Sequence, residues 1–493
     1  MSELLLGIDI GTSSSKGCLA EPNGRIVRTA EIAHSTSMPM PGWFEHGARS
    51  VWWHDLLALC DELVNSAHVP AAVCISGIGP CLLPATASGE PLRPAILYGI
   101  DTRATQEIED LNARFGAEHI LERGGSPLTS QAVGPKLLWL RRHEPDTYAR
   151  TRRFFMASSY LVHELTGEYV LDHHSASQCD PLYHLGAATW AADWVSELAP
   201  ELELPRLLWP SEVAGQVSAP ASAATGIPMG TPVMAGTIDA WAEAFSVGVE
   251  RPGELMLMYG TTMFLVRIVD SAQPDRRLWL TTGVLPKTLT IAAGMATSGA
   301  VTAWFRDLTG SDYGDLMAAA TSAPRGSNGL VVLPYFAGER TPLFDPQARG
   351  AVLGLTLRHD RGHFHRAILE ATAYGVRHNL EVMTEIAGPP IRVAAVGGGI
   401  RGGLWTQIVS DCCGMEQNIH TYSIGASYGD ARLAALGCGL AKPTMSWNRV
   451  AETVLPDSSA REIYDPLYAV YRELYVATAG LAHRLAELQR PIP

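Results

Sequence analysis

The chain has 493 residues, of which 47% are hydrophobic and 18% charged, with a formal net charge of −13. That length exceeds one ordinary domain, and the composition excludes a disordered chain. The acidic balance, with no run of Lys or Arg, argues against nucleic acid as a partner, and no apolar run approaches the ~20 residues of a membrane span.

The chain passes from Met1-Ser2-Glu3 straight into Leu4-Leu5-Leu6. No basic segment or signal-type apolar stretch intervenes, so a soluble, cytoplasmic protein is expected. Residues 4–10 are apolar almost throughout and predict a buried strand. A polar turn, Gly11-Thr12-Ser13-Ser14-Ser15, separates it from a second strand over 16–20, and Asn23-Gly24 marks a hairpin into an extended segment over 25–32. Trp53, Leu56, Leu57, Cys60, Leu63 and Val64 recur at helical spacing. A strand follows over 73–78, ending at the loop Gly79-Pro80-Cys81, and 104–200 reads as largely helical. Near residue 230 the design begins again: a strand over 232–235, a turn at Gly236-Thr237-Ile238-Asp239, and a helix over 240–247. Strands over 254–258 and 264–268 then flank Gly260-Thr261-Thr262. A helical pattern over 363–387, a strand over 393–396 and a helix from Leu404 complete the second half. The eight cysteines form no CxxC pair and read as reduced, mostly buried thiols.

Four segments carry chemistry. In Gly7-Ile8-Asp9-Ile10-Gly11-Thr12-Ser13 a carboxylate ends a buried strand and faces a turn of small, donor-rich residues. Such a turn can aim Gly11, Thr12 and Ser13 at phosphates while Asp9 holds Mg2+; an ordinary hairpin with an Asx-type turn has the same pattern. No GxxxxGK[ST] loop is present. Asp239 stands in the opening turn of a helix, where an Asp is commonly a cap. Two matching domains packed face to face would instead bring it to one cleft with Asp9, where Asp239 accepts a hydroxyl proton and Asp9 positions the metal. Gly260-Thr261-Thr262 is a second donor-rich turn suited to terminal phosphates. The run Val396-Gly397-Gly398-Gly399-Ile400-Arg401-Gly402-Gly403-Leu404-Trp405 either lets a flat adenine or ribose lie against backbone or is only a mobile connection; it lacks the GxGxxG spacing. His363 and His365, two apart with no third ligand, and the isolated His173-His174 argue against a structural metal.

These elements, in this order, resemble the FGGY family of carbohydrate kinases, within the actin, hexokinase and heat-shock ATPase superfamily. The most specific piece is Gly350-Ala351-Val352-Leu353-Gly354-Leu355, followed after seven residues by His363-Phe364 and then by Ala367-Ile368-Leu369-Glu370. It fits one family signature at every defined position. A second signature is met at Lys136-Leu137-Leu138-Trp139-Leu140 and departs at Val133, where Pro, Ser or Thr is usual. The resemblance implies an α/β fold of two actin-like (ribonuclease H-like) domains with an active-site cleft between them. Residues 1–247 would bind sugar and residues 248–493 nucleotide, closing about a hinge at 248–253.

By the same resemblance Asp239 is the catalytic base, and Asp9 and Asp239 hold the metal. Gly11, Thr12 and Thr261 contact phosphates, with Ser13, Gly260 and Thr262 in the same turns. Gly299, in Ser298-Gly299-Ala300-Val301, matches a nucleotide-contact glycine, and Gly398, Gly399 and Gly403 line the adenosine pocket. Pro41-Gly42-Trp43-Phe44-Glu45, Arg93-Pro94-Ala95-Ile96-Leu97 and Gly338-Glu339-Arg340-Thr341-Pro342 are similar to the members that phosphorylate D-xylulose. Those members place Met-His where this chain has Gly79-Pro80, and Asn where it has Ala240. Each lost polar contact costs on the order of 1 kcal/mol if nothing replaces it. Asp101 and Arg103, in a segment one residue longer than usual, are the candidate replacements. The expected reaction is ATP- and Mg2+-dependent phosphorylation of a primary hydroxyl, with D-xylulose yielding D-xylulose 5-phosphate. The rivals are a kinase for another ketose or polyol (ribulose, glycerol, a signalling sugar) and an actin-like ATPase without a sugar. A homodimer is compatible with the resemblance.

Overall fold

The computed structural model describes residues 3–489; residues 1–2 and 490–493, at the outer ends of the two expected domains, lie outside the described residues. Two compact units form, and neither is one stretch of chain. The first gathers Met1–Pro252, Asp270–Thr290 and Ile424–Asn448; the second gathers Gly253–Val269, Ile291–Ser423 and Arg449–Pro493.

In the first unit a mixed sheet runs in the order Val213–Gln216, Pro232–Met234, Pro70–Gly77, Leu4–Ile10, Ser14–Ala20, Ile26–Ala33. Leu4–Ile10 is central, antiparallel to Ser14–Ala20 and parallel to Pro70–Gly77, which explains why its residues are apolar on both faces. Side chains alternate between the faces, and the alternation sorts the partners. On the face of Ile8 and its neighbour Gly17 lies the helix His54–Leu63, whose Leu56, Leu59, Cys60 and Leu63 are buried. On the face of Gly7 and Cys18 lies the helix Ala426–Gly437. A Cβ on Gly7 would stand 1.9 Å from the Ser427 carbonyl oxygen, so only glycine admits this approach. A second helix, Asp239–Ser246, closes on Ala426–Gly437 at Gly429, where a Cβ would lie 1.9 Å from the Ala242 oxygen.

One element differs from the expected order. The turn anticipated at Gly236-Thr237-Ile238-Asp239 is in fact a two-residue strand, Thr237–Ile238, beside Ser76 and Gly77. Gly236, at φ 73°, brings the chain against the Ile75 backbone to make that pairing. The stretch expected to be helical holds Thr105–Phe115, Ala117–Gly124, Val133–His143, Pro145–Arg150, Ala157–Thr166 and Ala192–Leu198, with short strands between.

The second unit repeats the central motif. Glu254–Tyr259 is antiparallel to Met263–Val269 and parallel to Arg392–Val396, which leads on to Gln417–His420 and Val450–Val454. The helix Arg361–Ala387, begun by an Asp360 cap that accepts from Gly362 and His363, carries a continuous buried stripe. Among the described residues no helix is long and apolar enough to cross a membrane.

Candidate functional site

Strand register places the first cluster. Asp9 and Thr237 both lie beside Ser76, on opposite sides of the strand Pro70–Gly77, and all three strands run parallel. Asp239 follows Thr237 by two residues and opens the next helix, so the two expected carboxylates share one end of one sheet. Asp9 is buried; the Ser76 hydroxyl donates to Asp430 Oδ2 at 2.6 Å and reaches Asp9 Oδ1 at 3.4 Å. Asp239 is half-buried and accepts the Ala240 N–H at 2.7 Å.

Charge is crowded here. Burial, then the charges of Asp239 and Glu243, hold the Asp9 carboxyl well above the usual carboxylate range, against the pull of Lys16. Burial pushes Asp239 up to about 6, and burial together with Asp239 pushes Glu243 up to about 7. Glu243, Lys16, Ser76 and Asp430 had no assigned role in the sequence reading. Glu243 carried a readable signal, since four residues beyond Asp239 on a helix is the same face. Asp430 carried none, because only the fold brings it to the strand bearing Ser76.

The turn at Gly11–Ser13 is braced from behind. The Gly11 N–H donates to the Ser14 carbonyl at 3.0 Å, and His34 Nε2 meets the Gly11 oxygen at 3.1 Å. The other His34 nitrogen pairs with Asp55 at 2.7 Å, and Asp55 also accepts from Ser15. Thr12 pairs with the Tyr98 hydroxyl at 3.0 Å, while its carbonyl accepts from Thr36. A Cβ on Gly79 would stand 2.7 Å from Ile238, the residue before Asp239, and Pro80 is buried. Asp101 and Arg103 are locked to each other. Arg103 donates to both Asp101 oxygens and to Glu45, and its guanidinium lies 4.3 Å from the Trp43 ring and 5.0 Å from that of Trp139. Asp101 also accepts the Phe44 N–H.

The second unit holds a cavity of about 770 Å3 lined by Gly260, Thr261, Gly299, Gly398 and Gly399, with Met317, His365, Leu369 and Trp405 among its other walls. That volume suits a nucleotide-sized ligand. The turn at Gly260 is stitched to the start of the helix Gly299–Thr309: Gly299 N–H donates to the Gly260 oxygen at 3.1 Å and Ala300 N–H to the Thr261 oxygen at 3.0 Å. A Cβ on Gly399 would stand 2.7 Å from the Trp405 ring, so glycine is required for the chain to lie flat there. The Trp405 indole is committed to Thr372. Of the nucleotide residues expected in this unit, Thr262 and Gly403 are not on this wall; Gly403, at φ 74°, begins the helix Leu404–Cys413. Nearby, Glu339 accepts the Ala296 and Arg340 N–H groups, and burial pushes it up to about 8. Among the described residues no group of three or more His, Cys, Asp or Glu side chains forms a ready metal cage.

The family model for the FGGY carbohydrate kinases, N-terminal domain, matches residues 4–246, and that for the C-terminal domain matches residues 255–438. The crystal structure of a xylulose kinase from Rhodospirillum rubrum superposes with a TM-score of 0.89 at 32% identity, covering 98% of this chain and 100% of that one. The xylulose kinase of Escherichia coli (strain K12) is 29% identical over 494 residues, covering 96% of this chain and 98% of its own length. That of Bacillus subtilis (strain 168) is 26% identical over 509 residues, covering 99% of each.

Proposed function

Because the chain belongs to the FGGY family of carbohydrate kinases, we propose that it transfers the terminal phosphoryl group of ATP to a primary hydroxyl of D-xylulose, giving D-xylulose 5-phosphate and ADP. One observation carries the reading: Asp239, raised to about 6 by burial, stands at a helix start with Asp9 close enough to feel its charge. A base with an ionisation near the working pH is both deprotonated and able to hold a proton. Asp239 orients the acceptor hydroxyl and takes its proton as the new P–O bond forms. The leaving group is ADP, and alignment with electrostatic support supplies most of the acceleration.

Mg2+ is typically held by one or two carboxylates plus substrate phosphates, not by a protein cage. Asp9 and Asp239 offer that number of oxygen donors, and neither has an ion-pair partner among the described residues, so the pair fits the ion. When bound it would offset the phosphate charge. In this reading the Gly11–Ser13 and Gly260–Thr262 turns donate to phosphates, and Gly299, Gly398 and Gly399 receive the nucleoside. On the same reading residues 1–247 carry the sugar and residues 248–493 the nucleotide, and the protein works in the cytoplasm.

D-xylulose is favoured by full-length likeness to proteins described as xylulose kinases. Another small ketose or polyol is the second reading, favoured by Asp101, whose two oxygens are already engaged by Arg103 and Phe44 where a replacement sugar contact was expected. The test is a coupled ADP-release assay with Mg-ATP against pentuloses, hexuloses and polyols, beside a no-sugar control. Stimulation by D-xylulose above the others is expected. Preference for a different sugar transfers the reading to that sugar, and a rate indifferent to sugar overturns it.

A further inference from the structure

Within the cavity of the second unit, one wall residue is out of keeping with its surroundings. His365 is 1% exposed, and neither of its ring nitrogens has a hydrogen-bond partner. Buried polar atoms are ordinarily satisfied, and a buried imidazole with both nitrogens unmet costs stability that nothing within the fold recovers. The ring is not loose: it stacks on Phe305 at 5.9 Å with planes 22° apart, and Phe305 in turn stacks on Phe364 at 5.0 Å. One face is therefore held, while the residue lines the same cavity as Gly398, Gly399, Met317, Leu369 and Trp405.

The wall chemistry separates the parts of a nucleotide. Phosphates are suited to the donor-rich turn at Gly260 and Thr261 beside Gly299. The remaining wall is mainly glycine backbone and apolar side chains, joined by Thr302, Tyr313 and Arg401, and its flat glycine stretch suits the face of an aromatic base. Burial pushes the His365 imidazole down to about 4, so at neutral pH it is uncharged and presents one donor and one acceptor. A purine edge, with amino donor and ring-nitrogen acceptors, complements that pattern; a phosphate does not.

We propose that His365 is a polar recognition residue for the base of the donor nucleotide, through a ring nitrogen, and so contributes base specificity that the glycine backbone cannot. The inference rests on the kinase reading above for the identity of the nucleotide. His365→Phe preserves the stack on Phe305 and removes both nitrogens; His365→Gln keeps a donor and an acceptor. In calorimetry, ADP binding should weaken about tenfold in the Phe variant and recover in part in the Gln variant, while tripolyphosphate binding stays unchanged. In steady state the Phe variant should raise KM for ATP by a similar factor, with kcat and KM for the sugar within twofold.

ADP binding as tight in His365→Phe as in the unaltered protein overturns the inference, as does equal loss of ADP and tripolyphosphate binding. Should the Phe variant fail to fold by circular dichroism, the Gln variant decides alone: its affinity must lie below that of the unaltered protein for ADP and equal to it for tripolyphosphate. Binding of ADP by a protein that phosphorylates no sugar leaves this inference standing and removes the proposed reaction. Failure of the unaltered protein to bind ADP at all overturns the inference.

Discussion

The carboxylate cluster of the first unit and the cavity of the second are built on the same strand pattern and finished in opposite ways. Around Asp9 and Asp239 the surrounding polar atoms are already engaged: Ser76 with Asp430, Asp239 with Ala240, and the Gly11–Thr12 turn with His34 and Thr36. The cavity is walled mainly by glycine backbone and apolar side chains, with Thr302, Tyr313 and Arg401 among them, and keeps His365 unmet. A site whose dipoles are fixed beforehand is suited to chemistry, because no reorganisation is needed as charge moves. A site shaped by absent side chains is suited to recognition by fit. Similar backbones thus divide the labour through what is hung on them.

The largest expected effect tests the chemical half of that contrast. Asp239→Asn retains a good residue for a helix start and an oxygen able to accept the Ala240 N–H, so the fold should persist. Turnover in the ADP-release assay should fall about a thousandfold, with KM for both substrates within a few-fold. A kcat within tenfold of the unaltered protein would break the contrast at its centre.

Next comes the packing that places Asp239. Gly429→Ala puts a methyl 1.9 Å from the Ala242 oxygen, and unfolding in urea should show a loss of about 3 kcal/mol. An unchanged midpoint would mean that the two helices do not meet as described.

A smaller effect concerns pH. The folded-state ionisation of Glu339 is raised from 4.5 to about 8, so the folded protein holds this proton more tightly than the unfolded chain does. The stability it contributes is present below about 4.5 and is lost as pH rises through about 8. Glu339→Gln keeps the Oε1 that accepts from Ala296 and Arg340 and removes the titration. Relative to the unaltered protein, the variant should gain stability progressively between pH 5 and pH 8 in thermal unfolding. A difference that stays constant across that window excludes Glu339 as the source.

The smallest effect sharpens the role of the bracing behind the Gly11–Ser13 turn. His34→Ala removes the contact to the Gly11 oxygen, and KM for ATP should rise about threefold while kcat is nearly unchanged. A loss of turnover rivalling that of Asp239→Asn would show the brace to be part of the chemistry.

The sequence was most legible where local signals are strong. The apolar run over 4–10 and the turns at Gly11 and Gly260 announced strand-turn-strand units, and both appear with ends within a few residues of expectation. Thr237–Ile238 was not legible as a strand, because a two-residue strand has no periodicity of its own and exists only by pairing with Ser76 and Gly77. Asp430 was invisible for the same reason at longer range. His363 and His365 look in sequence like paired ligands, yet two residues apart on a helix do not face each other. His363 is spent on the cap with Asp360 and on Asn328, whereas His365 turns inward to the cavity.

The close approach of Gly7 to Ser427 and Ala431 also has a bearing on biosynthesis. The strand Leu4–Ile10 leaves the ribosome more than 400 residues ahead of the helix that covers one of its faces, Ala426–Gly437. At the usual rates of 5–20 residues per second the strand waits roughly 20 to 85 s for its cover. During that interval an apolar sheet face stands open on the nascent chain, a natural client for a holding chaperone. A chain that stops short of Ala426 would lack the helix that covers Gly7, so this face of its first unit would stay open.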